Sequence, residues 1–228
     1  METKISRSEL IQAIIFRVLI MITFLVLIIF IPAGSFSFWQ GWSYLAVILI
    51  PFAFAVSYFL DRDPAFLERR MRMREKEKTQ AKIQGFGLLY YLSVFIIPGL
   101  DYRWNWSSVP VWLLILAEIL VLTGYIIIVR VFKENSFASR TIEVDAGQKV
   151  IGTGPYALVR HPMYVGVILM YSVTPLALGS FWALIPGFLV IPMLVMRIVG
   201  EEKLLTKELD GYSAYMQKVR WRLLPGIW

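Results

Sequence analysis

Six runs of apolar residues divide the chain, at positions 10–31, 42–60, 85–100, 110–131, 163–178 and 181–198, with lengths of 22, 19, 16, 22, 16 and 18 residues. A bilayer core takes about 20 helical residues, with a range of about 17 to 25. The pattern therefore predicts an all-α integral membrane protein of about six transmembrane helices. The first run exceeds the apolar region of a signal peptide, about 7 to 15 residues, and further runs follow it, so it reads as a permanent helix.

The basic residues fall between these runs in strict alternation. Lys4 and Arg7 precede the first run, eight Lys and Arg lie in 61–84, four in 132–162 and five after Val199, whereas the opposite connections hold Arg103 alone. By the positive-inside rule this places both termini in the cytoplasm, and Trp39, Trp42, Trp104 and Trp106 flank the outer loops as interfacial rings do. The chain is a multi-pass protein with its polar connections on the cytoplasmic side.

Composition narrows the chemistry. Hydrophobic residues make up 58% of 228 and charged residues 17%, against about 25% charged in soluble domains. The net charge of +7 is accounted for by orientation and anionic lipid, so nucleic-acid binding is not expected. There is no Cys and a single His, His161, which excludes disulfides, thiolate nucleophiles and His-based zinc clusters; no metal is expected. The mixed charges at 68–78 read as a solvated helix near headgroups.

Two ionisable residues lie inside apolar runs, Arg17 and Glu118. Such residues default to functional hypotheses, but a structural reading is preferred for both: Arg17 reaches back to the surface, and Glu118 sits protonated and bonded to a neighbouring helix. Residues 1–132 thus read as a four-span scaffold.

Residues 133–228 differ in kind, combining a polar stretch, two short Pro-interrupted spans and an interfacial tail helix. Pro175, Pro186 and Pro192 mark either a cavity lined by broken helix or merely kinked hairpins. In Arg160-His161-Pro162, the proline suits a first helical turn, leaving the amides of Arg160 and His161 aimed at the interface, where an anionic group would be welcome. Tyr156 and Tyr164 flank this entry, and Gly154 and Gly166 permit close approach, which points to a nucleotide-sized ligand. Arg197 and Glu201 share a helical face four residues apart, with Glu202 beside them. One carboxylate balances Arg197 and the other is left for a cationic group such as an ammonium. After this pair, apolar residues recur at helical spacing up to Val219, so the tail is expected along the membrane surface, interrupted at Asp210-Gly211.

These motifs, Gly154-x-Tyr156-x-x-x-Arg160-His161-Pro162-x-Tyr164-x-Gly166, then Arg197-x-x-x-Glu201-Glu202 and Tyr212-x-x-Tyr215, with Asn135-Ser-Phe137 as lead-in, resemble the C-terminal half of isoprenylcysteine carboxyl methyltransferases and their bacterial relatives. Phospholipid N-methyltransferases are similar. The resemblance covers about residues 133–228. It implies an S-adenosyl-L-methionine-dependent enzyme with a cytoplasmic-side cofactor pocket built by this half. The cofactor contacts it implies are His161, Tyr164, Gly166 and Glu202, beside Tyr156 and Arg160 from the entry segment, with Arg197 and Glu201 nearest the reacting groups. The acceptor expected is lipid-tailed or prenylated, foremost an isoprenylcysteine or similar isoprenoid carboxylate. Alternatives are a phospholipid amine N-methyltransferase, an NADPH-dependent enzyme resembling sterol reductases, and a non-catalytic membrane protein.

Overall fold

Ser6 opens the first helix with a capping box: its Oγ accepts from Glu9 N at 3.2 Å, and Glu9 Oε2 accepts from Ser6 N at 2.8 Å, satisfying two amides that a helix start otherwise leaves unpaired. In this computed structural model, which describes residues 6–71, 78–138, 144 and 147–228 (the side chains of 78–84 and 86 excepted), that helix is α1 (Arg7–Ala33). The order continues with α2 (Trp39–Arg62), α3 (Pro64–Arg70), α4 (Lys78–Trp104), α5 (Val111–Glu134), a 3-10 turn (Gly154–Ala157), α6 (Pro162–Ala177), α7 (Leu184–Gly187), α8 (Val190–Glu208) and α9 (Tyr212–Lys218). No strand occurs among the described residues, and the all-α reading holds. The solvated helix read at 68–78 lies largely outside the described residues: its first part closes α3, and 72–77 are not described.

Of the six expected spans, four are long and apolar enough to cross a membrane: Arg7–Ala33, Trp39–Arg62, Val111–Glu134 and Leu184–Glu208. Helix α4 covers the third apolar run. Helix α6 covers the fifth with 16 residues, about 24 Å at about 1.5 Å per residue, short of the roughly 30 Å hydrocarbon thickness. The sixth run does not begin as a helix: Phe181–Ala183 form a turn, α7 is a single turn, and α8 runs on to Glu208. Glu201 and Glu202 therefore sit within a helix that continues past the apolar run. Pro192 occupies the first turn of α8, where no amide is needed.

The core joins α1, α2, α4, α5 and α6 through Ile29, Phe38, Tyr44, Phe95, Val121 and Leu178, while Phe16, Phe54 and Trp112 point outward as lipid-facing residues do. Helices α5 and α6 pack backbone against backbone at Gly124 and Gly166. A Cβ built on either glycine would lie 2.6 Å from the other's carbonyl oxygen, so only residues without a side chain let these backbones meet. This contact crosses position 132, tying α5 to the C-terminal region.

The two ends of the bundle differ as the charges do. At one end Arg7 pairs with Asp61 at 2.8 Å, Arg17 Nη1 donates to Met71 O at 2.6 Å, Arg69 Nη2 donates to Ser136 O at 2.8 Å, and Arg70 covers the Phe132 ring at 4.5 Å. Arg17 thus reaches out of its helix to a backbone oxygen beyond α3. At the other end, buried Asp101 accepts hydrogen bonds from Ser107 N at 2.8 Å and from the hydroxyls of Ser107 and Ser180, joining the turn after α4 to the turn after α6. Glu118 departs from its expected role: its buried Oε1 has no hydrogen-bond partner among the described residues.

The tail also departs from expectation. Gly211, at φ +83°, permits the reversal between α8 and α9. Leu209, Tyr212, Tyr215 and Val219 then turn their apolar face onto Val150, Tyr156 and Leu205 of the protein itself. Periodicity marks an apolar face but not its partner, and here the preceding loop supplies one.

Candidate functional site

Pro162 starts α6 with the preorganised φ of a first turn, and His161 caps it. The two amides expected to be free at this entry are taken: Arg160 N donates to Trp221 O and His161 N donates to Arg222 O, both at 2.9 Å. The segment after α9 therefore lies as a strap across the start of α6. Arg160 faces inward as well. Its Nη1 donates to Val219 O at 2.8 Å and Arg220 O at 2.7 Å, and its Nε to Glu202 Oε1 at 2.7 Å.

Glu202 is the hub of this arrangement. Oε1 accepts from Arg160 and lies 3.2 Å from His161 Nε2, while Oε2 accepts from Arg222 Nε at 2.8 Å. Glu202 is 5% exposed and Arg160 6%. A buried carboxylate survives such desolvation only through bonds of this kind. The carboxylate expected to await an ammonium is thus occupied by the protein's own cations, because sequence spacing within α8 does not reveal Arg222 arriving from the strap.

One turn away, Tyr164 OH donates to Glu201 Oε2 at 2.6 Å and accepts from Arg197 Nε at 3.1 Å. The Arg197 and Glu201 side chains are thus linked through a phenol from α6. The His161 ring stacks on Tyr164 with centroids 5.7 Å apart, and its Nδ1 lies 4.0 Å from Glu201 Oε1. Farther out, the 3-10 turn is held by Asn135 Nδ2 donating to Tyr156 OH at 3.0 Å and by Tyr215 OH donating to Tyr156 O at 2.7 Å. Burial, seconded by Glu201 and Glu134 against the Asn135 bond, pushes the Tyr156 phenol up to about 12. Gly154 adopts φ +54° against the Glu134 carboxylate, where a Cβ would lie 2.8 Å from Oε2.

These groups enclose a cavity. Its volume is about 100 Å³, and it is open to solvent on one side. Tyr156, Arg160, His161, Tyr164, Arg197 and Glu201 line it; Glu202 and Gly166 do not. Gly166 serves the contact with Gly124 instead. Phe137 of the lead-in motif lines the cavity too, and so do residues that motif spacing did not single out: Lys149, Val150 and Ile151 before the 3-10 turn, and Leu205 and Leu209 from the end of α8. Tyr212 and Tyr215 complete it, and their i, i+3 spacing was the one signal available for them. Arg222 carried none.

A nucleotide-sized ligand needs a pocket of about 300–1,000 Å³; the cavity, at about 100 Å³, encloses only part of such a ligand, and the rest would lie in its open mouth. The lining fits a zwitterionic nucleoside: Arg197 and Glu201 offer opposite charges, Phe137, Val150, Ile151, Leu205 and Tyr215 offer aromatic and apolar surface, and the buried Tyr212 hydroxyl has no partner among the described residues. No group of three or more His, Asp or Glu positioned to hold a metal occurs among the described residues.

Fold and site together define a helical membrane protein with a charged, half-open pocket where its C-terminal helices meet the polar connections. Residues 112–210 match the family model described as phospholipid methyltransferase, so this stretch of the chain is similar to that family of membrane methyltransferases. The matched region takes in α5 from its second residue, α6 and α8, and with them Tyr156, Arg160, His161, Tyr164, Arg197, Glu201 and Glu202. No curated protein matches the chain.

Proposed function

We propose that this protein transfers a methyl group from S-adenosylmethionine to a lipid-tailed acceptor at the cytoplasmic face of the membrane, with the carboxylate of an isoprenylcysteine or similar isoprenoid acid as the preferred acceptor. The observation that carries this reading is the convergence of His161, Tyr164, Arg197 and Glu201 on one cavity within the region matched by a methyltransferase family. The donor is water-soluble and charged, whereas the acceptor resides in lipid, so the two must meet at the interface. The charge alternation along the chain supports the cytoplasmic side.

When bound, S-adenosylmethionine supplies a methyl group activated by its sulfonium. Tyr156, His161, Tyr164 and Glu201 are the residues proposed to hold it, with Arg160 and Glu202 fixing the His161 ring from behind. A carboxylate acceptor is already nucleophilic, so the protein must strip water, orient the attacking oxygen and offset its negative charge during approach. Arg197 is suited to the last task. Arg160 is less suited, because its Nε and Nη1 already serve Glu202 and the strap.

A second reading is favoured by the family description itself: methylation of a phospholipid amine. An ammonium must lose a proton before it can attack, and Glu201, with one oxygen bonded to Tyr164, is placed on the cavity wall to take it. Incubation of purified protein with methyl-labelled donor and, in separate reactions, a prenylcysteine analogue, an isoprenoid acid, phosphatidylethanolamine or a native lipid extract separates the readings. Label in a prenylcysteine analogue or isoprenoid acid supports the first, label in phosphatidylethanolamine the second, and label in neither acceptor nor native lipid extract overturns both.

A further inference from the structure

We propose that the Tyr212 hydroxyl is a ligand-binding group that takes the amino-acid end of the methyl donor, an inference that rests on the methyl-donor reading of the cavity. Tyr212 is 4% exposed, lines the cavity, and its buried hydroxyl has no hydrogen-bond partner among the described residues. The neighbouring phenols are all engaged. Tyr156 OH accepts from Asn135, Tyr164 OH bonds both Glu201 and Arg197, and Tyr215 OH donates to Tyr156 O. A buried hydroxyl without a partner is uncommon and unfavourable.

The ring of Tyr212 cannot readily swing away to find a partner, since it packs among Leu209, Tyr215 and Val219. The hydroxyl stands in the combined field of Glu201, Glu202 and Arg160; burial first, then the two glutamates, keep it a neutral phenol far above physiological pH. A neutral hydroxyl can accept from an ammonium and donate to a carboxylate. That dual capacity suits a zwitterion, and the same cavity offers Arg197 and Glu201 as its counter-charges. The adenine and ribose of the donor have no such pair of opposite charges to satisfy, and the apolar wall of Val150, Ile151 and Leu205 suits them better.

The test uses detergent-purified full-length protein, wild type and Tyr212→Phe, titrated with S-adenosylhomocysteine and with 5′-methylthioadenosine, which lacks the amino-acid end. The expected result is about tenfold weaker S-adenosylhomocysteine binding in Tyr212→Phe, about 1.4 kcal/mol, with methylthioadenosine affinity unchanged within about twofold. Thermal stability without ligand should be equal or higher, because the substitution removes an unpaired buried oxygen. Unchanged S-adenosylhomocysteine affinity overturns the proposal. So does equal weakening of both ligands, which would put the hydroxyl on the nucleoside or make it structural, the latter marked by a fall in stability. Failure of the wild type to bind either ligand overturns the methyl-donor reading itself, and is read from the wild-type titrations alone.

Discussion

Arg160 Nε and Glu202 Oε1 lie 2.7 Å apart, both buried, joining the start of α6 to the middle of α8 across forty-two positions of sequence. This contact makes one site of two motifs. Removing one member of a buried pair strands the other and costs about 3–5 kcal/mol. Glu202→Gln should therefore lower unfolding stability by that order, measured by denaturant titration in mixed micelles. A variant as stable as wild type would contradict the hub assigned to Glu202.

The three partners of Glu202 should not be equal. The Arg160 side chain is 5% exposed and that of Arg222 is 32%, so water can solvate the second when its partner changes and cannot reach the first. Arg160→Ala should destabilise more than Arg222→Ala, by about 2 kcal/mol or more, given the cost of losing a desolvated charged bond. Arg222→Ala should still weaken S-adenosylhomocysteine binding by loosening His161. Because His161 is the sole histidine, its ring nitrogen signals give an unambiguous spectroscopic readout of that loosening.

Gly166→Ala tests the close approach of α5 and α6. The new Cβ would meet Gly124 O at 2.6 Å and Ile128 Cγ1 at 2.8 Å, and a backbone oxygen cannot move aside as a flexible side chain can. Overpacking of this kind costs about 1–3 kcal/mol, so unfolding should come earlier. Gly124→Ala should do the same, and the double variant should lose less than the sum, because one separation of the helices relieves both clashes.

Asp101 should matter for folding and not for ligands. Asp101→Ala leaves the hydroxyl of buried Ser180 and the amide of Ser107 without their acceptor, each loss costing about 1–3 kcal/mol. Stability should fall while S-adenosylhomocysteine affinity of the folded fraction stays unchanged, since Asp101 belongs to the opposite end of the bundle.

Glu118→Gln should leave methyl transfer unchanged. The Glu118 carboxyl is outside the cavity lining, and its Oε1 lacks a partner. Glu118→Met, which removes the unpaired oxygen at similar length, should raise stability. Loss of transfer in Glu118→Gln would instead assign this residue a part in the reaction.

The helices were legible in the sequence because apolar run length is nearly all that lipid requires, and the Arg160-His161-Pro162 and Arg197-x-x-x-Glu201 spacings were legible because each lies on one element. Three things were not. Glu202 looked available since its partner Arg222 comes from a separate segment, and no periodicity connects them. Gly166 read as a ligand approach, while its neighbour is Gly124, forty-two residues earlier. The apolar face of α9 read as membrane-bound because a hydrophobic stripe is blind to whether lipid or protein covers it. In each case the missing information was a tertiary partner.

The claim on which the rest depends is that the cavity beside His161 and Glu201 holds a methyl donor. Calorimetric titration of the detergent-purified protein with S-adenosylhomocysteine and, separately, with NADPH addresses it most directly. Saturable one-to-one binding of S-adenosylhomocysteine with no NADPH signal is the result predicted. Binding of NADPH alone, or of neither nucleotide by folded protein, would contradict it.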